Sequence, residues 1–217
     1  MTRLIVLGAS GLVGQQILVQ ALANDSISHI IAPTRRPLAD VQRRHAKLEN
    51  PIIDFDQLPA DALWWKADAV LCALGTTMRQ AGSQAAFYRV DHDYVVDAAK
   101  YAFAASTTCF VLNSSMGAKL NASSFYLCVK AETERDLAGL GFISLTLVRP
   151  SLLDGGERPE KRWGESFAIS FSKLLGPLVP KRLRPVTTSK VAATMISAAL
   201  KATPGVIVIE SEQCHLL

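Results

Sequence analysis

An α/β fold built on a doubly wound parallel sheet is predicted by three observations. The chain opens on an apolar run, Leu4-Ile5-Val6-Leu7, that breaks directly into a glycine turn, Gly8-Ala9-Ser10-Gly11-Leu12-Val13-Gly14. Strand-like apolar runs and segments of helical periodicity then alternate along most of the chain, which is how a parallel sheet covered on both faces is written in sequence. At 217 residues, 49% hydrophobic and 19% charged, the chain can bury a substantial core within the size of one large domain. The expectation is a single Rossmann-type domain over residues 1–217, with a small carboxyl-terminal substrate-covering region at about 151–190.

Each element has its own local reason. After the first strand, Leu12, Val13, Ile17, Leu18, Ala21 and Leu22 recur at helical spacing, and Asn24-Asp25-Ser26 ends the run. Residues 27–34, 51–55 and 69–74 read as short apolar strands two, three and four. Val95, Ala98, Ala99 and Ala102 share one face of a helix over 91–104, and 109–112 forms strand five. Ser123 or Ser124 caps the next helix, which carries Tyr126 and Lys130 and stops near Gly139 and Gly141. Residues 144–148 follow as strand six. Beyond Pro150 the pattern predicts a short helix over 163–175, a helix over 189–201 and a last strand over 206–210. Trp64 and Trp65 are expected to pack on the sheet.

The bulk properties narrow the function classes. A net charge of +4 is mild, and the cationic residues form no long block, so nothing requires nucleic acid as a partner. Arg158, Lys161, Arg162, Lys181, Arg182 and Arg184 make one region basic, which reads as a solvated face before it reads as a contact for an acidic partner. No run approaches the roughly 18 apolar residues of a membrane span, and because residue 3 already reads as strand, a secretory signal is not expected. Cys72, Cys109, Cys128 and Cys214 and the four histidines are scattered, so no metal site is expected. Cys72 and Cys109 lie in apolar runs, as small buried thiols do. Reduced thiols fit a cytoplasmic compartment, which is the expected location. Monomer and homodimer are both left open.

Four constellations carry chemistry. A strand that breaks at glycines and passes into a helix sets backbone N–H groups and a helix N-terminus against a dinucleotide pyrophosphate. Here the glycines stand at 8, 11 and 14, with Ala9 in the place of the usual fingerprint's first glycine. At the end of strand two the chain reads Ala32-Pro33-Thr34-Arg35-Arg36, where an NAD site would place a carboxylate for the ribose hydroxyls. A guanidinium instead forms charge-assisted bonds to a 2′-phosphate, so NADP is favoured over NAD. Asp54 and Phe55 sit where such folds approach the adenine.

Tyr126 and Lys130 stand four residues apart, on one helical face. A phenol ordinarily ionises near pH ~10, and an adjacent ammonium stabilises the phenolate, so such a pair can move a proton. Asn113-Ser114-Ser115 closes strand five, and its serines precede Tyr126 by twelve and eleven residues. Strand carboxyl ends face the ligand crevice in open α/β sheets, so a serine there can bond a substrate carbonyl or hydroxyl. The stretch 76–82, at the same crevice, is expected to act as a flap over the cofactor.

Taken together, Gly8 to Gly14, Arg35-Arg36, Ser114-Ser115, Tyr126-x3-Lys130 and Arg149-Pro150-Ser151 resemble the short-chain dehydrogenase/reductase superfamily in its extended or atypical branch. The strings Leu74-Gly75-Thr76-Thr77, Arg89-Val90-Asp91-His92-Asp93-Tyr94-Val95, Ser114-Ser115-Met116-Gly117-Ala118 and Tyr126-Leu127-Cys128-Val129-Lys130-Ala131-Glu132 are similar to the Tat-interacting-protein (CC3-like) oxidoreductase family. The resemblance implies that Gly8, Ser10, Gly11, Leu12, Val13 and Gly14 surround the pyrophosphate. It further implies that Arg35 and Arg36 meet the adenosine phosphate and that Leu74, Gly75 and Thr76 line the middle of NADP(H). Tyr126 and Lys130 would touch the nicotinamide ribose and Pro150 the nicotinamide ring. Ser115 aligns with the catalytic serine, with Ser114 as the alternate. The implied activity is reduction of a small-molecule carbonyl, or oxidation of the alcohol, by Ser-Tyr-Lys chemistry. An NADPH-binding sensor or interaction protein is the alternative. An epimerase or dehydratase of nucleotide sugars is disfavoured by the short region after Pro150.

Overall fold

The computed structural model describes residues 2–39, 45–154 and 181–216. Its centre is a seven-stranded parallel sheet of strands β1 (Thr2–Leu7), β2 (Ile27–Ile31), β3 (Leu48–Glu49), β4 (Ala69–Cys72), β5 (Cys109–Asn113), β6 (Ser144–Arg149) and β9 (Gly205–Glu210). The spatial order is β3-β2-β1-β4-β5-β6-β9, so the order reverses at β1 and a crevice opens between the carboxyl ends of β1 and β4. Register fixes that crevice: Leu7 pairs with Cys72, and Cys72 with Leu112, so the strands end level. A separate pair, β7 (Leu153–Asp154) and β8 (Val186–Thr187), lies beyond β6.

Because side chains alternate along a strand, β1 serves both faces. Leu4 and Val6 pack with Val13, Ile17 and Leu18 of α1 (Leu12–Leu22) and with Val191 and Met195 of the helix Thr188–Lys201. Ile5 and Leu7 pack on the other side with Trp65, Val95 and Ala99, the last two from the helix Tyr94–Ala104, and with Leu137 from the helix Phe125–Leu140. Each fully buried leucine or isoleucine contributes about 1.5–3 kcal/mol, so these two layers dominate the stability of the sheet.

Several expectations are corrected in their boundaries. Strand two ends at Ile31, and the third strand is the pair Leu48–Glu49 rather than residues 51–55. Past Glu49 the pairing continues only as an isolated bridge between Thr34 and Ile52, because Pro33 and Pro51 carry no N–H to extend a ladder. Phe55–Gln57 is a 3-10 turn instead of strand. Strand four stops at Cys72. The helix expected over 91–104 starts earlier, at Gln84–Tyr88, and runs through a π-helical segment, Arg89–Asp93, into Tyr94–Ala104. Met78–Ala81, inside the expected flap, is a helical turn capped by Thr77, whose hydroxyl accepts from Gln80 N–H. Trp65 is fully buried and donates its indole N–H to Pro59 O at 2.7 Å.

The helix expected over 163–175, most of the 151–190 region and the basic residues Arg158, Lys161 and Arg162 lie outside the described residues. Among the described residues, no helix is long and apolar enough to cross a membrane, and no group of three or more His, Cys, Asp or Glu side chains is arranged to hold a metal ion.

Candidate active site

The glycine turn links β1 to α1 with two close approaches that only glycine permits. Gly8 has φ +79°, and a Cβ there would lie 2.5 Å from Ala73 O. At Gly14 a Cβ would fall 2.1 Å from Gly8 O, so the first turn of α1 sits directly against the strand end. The turn closes through Gly11 N–H donating to Gly8 O at 2.9 Å. Gly11 is the N-cap and has no side chain to satisfy the first N–H groups of α1, which begins beside exposed Ser10 without a side-chain cap. Leu12 is half-buried, while Ala9, Val13 and Gly14 are buried as packing. An uncapped, eleven-residue helix whose positive end points out of a glycine turn fits a pyrophosphate.

Arg35 and Arg36 are exposed in the loop after β2, which neighbours β1, and neither side chain makes a hydrogen bond or ion pair with a described residue. Their backbone is nevertheless organised. Thr34 Oγ1 donates to Arg36 O at 2.7 Å, while Asn50 Nδ2 donates to Ala32 O and Thr34 Oγ1, and Asn50 Oδ1 accepts from Leu38 N–H. Asn50 is thus the clasp of the arginine loop, and its role was invisible from sequence because its partners are 12 to 18 residues away. Asp54 caps its own turn by accepting from Asp56 N–H, and Phe55 is buried against Tyr94 at 5.7 Å between ring centroids.

Tyr126 and Lys130 share one face of the helix Phe125–Leu140. The Tyr126 ring is half-buried, edge-on to Phe87 at 5.8 Å, and its hydroxyl has no hydrogen-bond partner among the described residues. Lys130 is buried, and its Nζ lies 2.8 Å from Asp91 Oδ1. Burial by itself would lower the pKa of this ammonium. The Asp91 carboxylate, helped by Tyr126, more than reverses that, and the net effect holds the Lys130 pKa above that of an ordinary lysine. Asp91 Oδ2 in turn accepts from Thr76 N–H at 2.7 Å, which brings the loop of Leu74, Gly75 and Thr76 to the same point. Beneath the pair, burial pushes the Cys72 thiol up to about 11, so it stays protonated.

The two serines after β5 part company. Ser114 is buried, and its hydroxyl donates to Glu134 Oε1; Glu134 also takes both Nε and Nη2 of Arg149. Ser115 is half-buried, with only a long 3.4 Å contact to Met116 O. The segment is fixed to the end of β6 by Ser114 N–H to Val148 O and Met116 N–H to Pro150 O, which seats buried Pro150 beside it. Asn113 Oδ1, one residue before, is buried without a partner among the described residues.

Sequence reasoning gave Asp91 and Asn113 no separate roles. Asp91 did leave a signal: it falls on the spacing of Val95, Ala98 and Ala102, a carboxylate on an otherwise apolar helical face.

No family model matches the chain. It is 36% identical over 167 residues to Protein HTATIP2 of Rattus norvegicus, a match covering 76% of this chain and 68% of that protein. It is 31% identical over 230 aligned residues to the mitochondrial protein fmp52 of Emericella nidulans, covering 100% and 95%. Among solved structures, MoeE5 in complex with UDP-glucose and NAD aligns over 98% of this chain and 79% of its own, with a TM-score of 0.71 and 17% identity. That likeness establishes a shared fold. The FMP52 relatives are named as mitochondrial, which overturns the cytoplasmic location expected from the reduced thiols; free cysteines report a reducing environment and not an address.

Proposed function

The chain belongs to the family of HTATIP2 and the FMP52 proteins, and on that premise we propose that it is an NADP(H)-dependent oxidoreductase that reduces a small carbonyl compound or oxidises the matching alcohol. The observation that carries this reading is a lysine kept charged by Asp91, one helical turn from a tyrosine whose hydroxyl is uncommitted among the described residues. The cofactor half rests on the uncapped glycine turn and on Arg35 and Arg36, whose guanidinium groups have no described partner.

In this reading the first N–H groups of α1 and the turn residues Gly8 to Gly14 receive the pyrophosphate. Arg35 and Arg36 receive the 2′-phosphate, with Asp54 and Phe55 toward the adenine. Leu74, Gly75 and Thr76 line the middle, and Pro150 closes the nicotinamide end. NADPH, when bound, would supply the hydride. Ser115 orients the carbonyl, since the Ser114 hydroxyl is occupied by Glu134. Tyr126 gives its proton to the developing alkoxide, and the Lys130 ammonium stabilises the phenolate left behind.

The test is titration with NADPH and NADH, followed by cofactor oxidation across a panel of aldehydes and ketones. Tyr126→Phe should keep NADPH binding and lower turnover by about 10²- to 10⁴-fold, the usual contribution of a general acid. Turnover unchanged in that variant would end the proton-donor assignment.

A second reading is favoured by the rat relative, whose name is that of a Tat-interacting protein. In it the chain is an NADPH-binding interaction protein. Tight NADPH binding with no oxidation by any carbonyl, together with partner affinity that changes on NADPH addition, would select it.

A further inference from the structure

Asp91 stands where three pieces of the fold meet. Its carboxylate is 1% exposed, and both oxygens are engaged, in different directions. Oδ1 faces Lys130 Nζ at 2.8 Å from the helix Phe125–Leu140, and Oδ2 takes the Thr76 N–H at 2.7 Å from the loop after β4. The backbone that presents it is the π-helical segment Arg89–Asp93, where Tyr94 N–H reaches back to Arg89 O. Such segments are rare, and one wide turn leaves carbonyls short of donors. Here Thr133 Oγ1, 3.0 Å from Asp91 O and 2.8 Å from Val129 O, supplies a donor from the neighbouring helix. Gly75 allows the close approach from the other side, since a Cβ there would lie 3.1 Å from Asp91 Oδ1.

Lys130 has few other sources of charge. The titratable groups that face it are Asp91 from the π segment, Cys72 from β4 and Tyr126 from its own helix. Burial keeps the Cys72 thiol protonated, and Asp91, at 2.8 Å from Nζ, is the group that does most to offset the burial of Lys130. A buried ammonium deprived of its counter-charge tends to shed its proton.

Resting on the oxidoreductase reading above, we propose that Asp91 is a positioning residue with two separable tasks: Oδ1 keeps Lys130 an ammonium beside Tyr126, and Oδ2 fixes the Gly75–Thr76 backbone on which the cofactor lies. An amide in this place performs only the second task. In Asp91→Asn the amide oxygen can still accept from Thr76 N–H, while its NH2 group faces Lys130 as a donor against a donor. Removing both oxygens, in Asp91→Ala, ends both tasks.

The experiment uses the full chain with lysine 13Cε labelling, Lys130 assigned through Lys130→Arg, and a pH titration in the absence of cofactor, alongside NADPH binding by fluorescence. Wild-type Lys130 is expected to remain charged to at least the pH at which the other lysines titrate. In Asp91→Asn its midpoint should fall by about one unit or more, which is the direction of unopposed desolvation. NADPH affinity should change less than about threefold in Asp91→Asn and weaken about tenfold or more in Asp91→Ala, the difference of one hydrogen bond at a buried site. Gly75→Ala, which presses on Oδ1 from outside and leaves the charges in place, is expected to move the Lys130 midpoint the same way by less; it serves if Asp91→Asn does not fold.

An unmoved Lys130 midpoint overturns the first task. Equal loss of NADPH affinity in the Asn and Ala variants overturns the second. Should the wild-type chain bind no NADPH, the oxidoreductase reading falls and takes the second task with it, while the titration still decides the first.

Discussion

Ser114 donates its hydroxyl proton to the buried Glu134 carboxylate, on the same oxygen that receives Arg149 Nε at 2.9 Å. Adjacent serines just past the end of β5 therefore differ in their partners: Ser114 is tied to Glu134, while Ser115 has only the long contact to Met116 O. Ser114→Ala removes a hydrogen bond to a charged group and should cost about 1.5–3 kcal/mol in urea unfolding, with NADPH binding retained. Ser115→Ala should leave the unfolding midpoint within about 0.5 kcal/mol, as for an uncommitted surface position, and lower turnover. The opposite pattern would exchange their roles.

Arg35 and Arg36 should set the preference between the two dinucleotides. Replacing both with serine should weaken NADPH binding by about 10- to 100-fold, the value of one or two charge-assisted bonds, and leave NADH binding nearly unchanged. Fluorescence titration at one fixed ionic strength reads both constants. Equal losses for the two dinucleotides would show that the arginines support the loop and do not read the phosphate.

Gly14 and Gly82 offer a contrast between close packing and mere turn geometry. A methyl group at Gly14 would lie 2.1 Å from Gly8 O, a backbone atom that cannot give way without moving the strand end, whereas at Gly82 nothing lies within 4 Å. Gly14→Ala should cost about 3 kcal/mol or more, or abolish folding. Gly82→Ala, at φ +77° in open space, should cost only about 1–2 kcal/mol of backbone strain. Thermal melts of the two variants give the comparison.

Asp136 supplies a pH signature. Its side chain accepts from Arg135 Nε at 2.7 Å and from His92 Nε2 at 2.9 Å. The Arg135 bond, opposed by partial burial and reinforced by His92, holds its carboxyl below the ordinary value of 3.8. A depressed carboxyl pKa stabilises the folded chain above the unfolded value and loses that stabilisation as pH falls through the folded one. Asp136→Asn should therefore lower the urea midpoint at neutral pH, and the gap to wild type should close below about pH 4. A gap independent of pH would mean that shape and not charge matters there.

Local rules made much of the site legible. The Tyr126 and Lys130 spacing, the glycine turn and the arginines after β2 were each read from one short window. Strand three was misplaced by a few residues because its apolar content is thin and its position depends on pairing with β2 across a long connection. The contacts of Asp91 are not legible in the sequence because its partners, Thr76 and Lys130, are 15 and 39 residues distant.

By itself, then, the sequence determined what short-range sterics and periodicity govern: the order of strands and helices, the glycine break after β1, and the face shared by Tyr126 and Lys130. Tertiary structure alone decided which serine bonds Glu134, which carboxylate meets Lys130, and how Asn50 clasps the arginine loop. These depend on side-chain partners brought together by sheet register and helix packing. A hydrogen bond or ion pair between distant positions leaves no periodic trace in a linear chain.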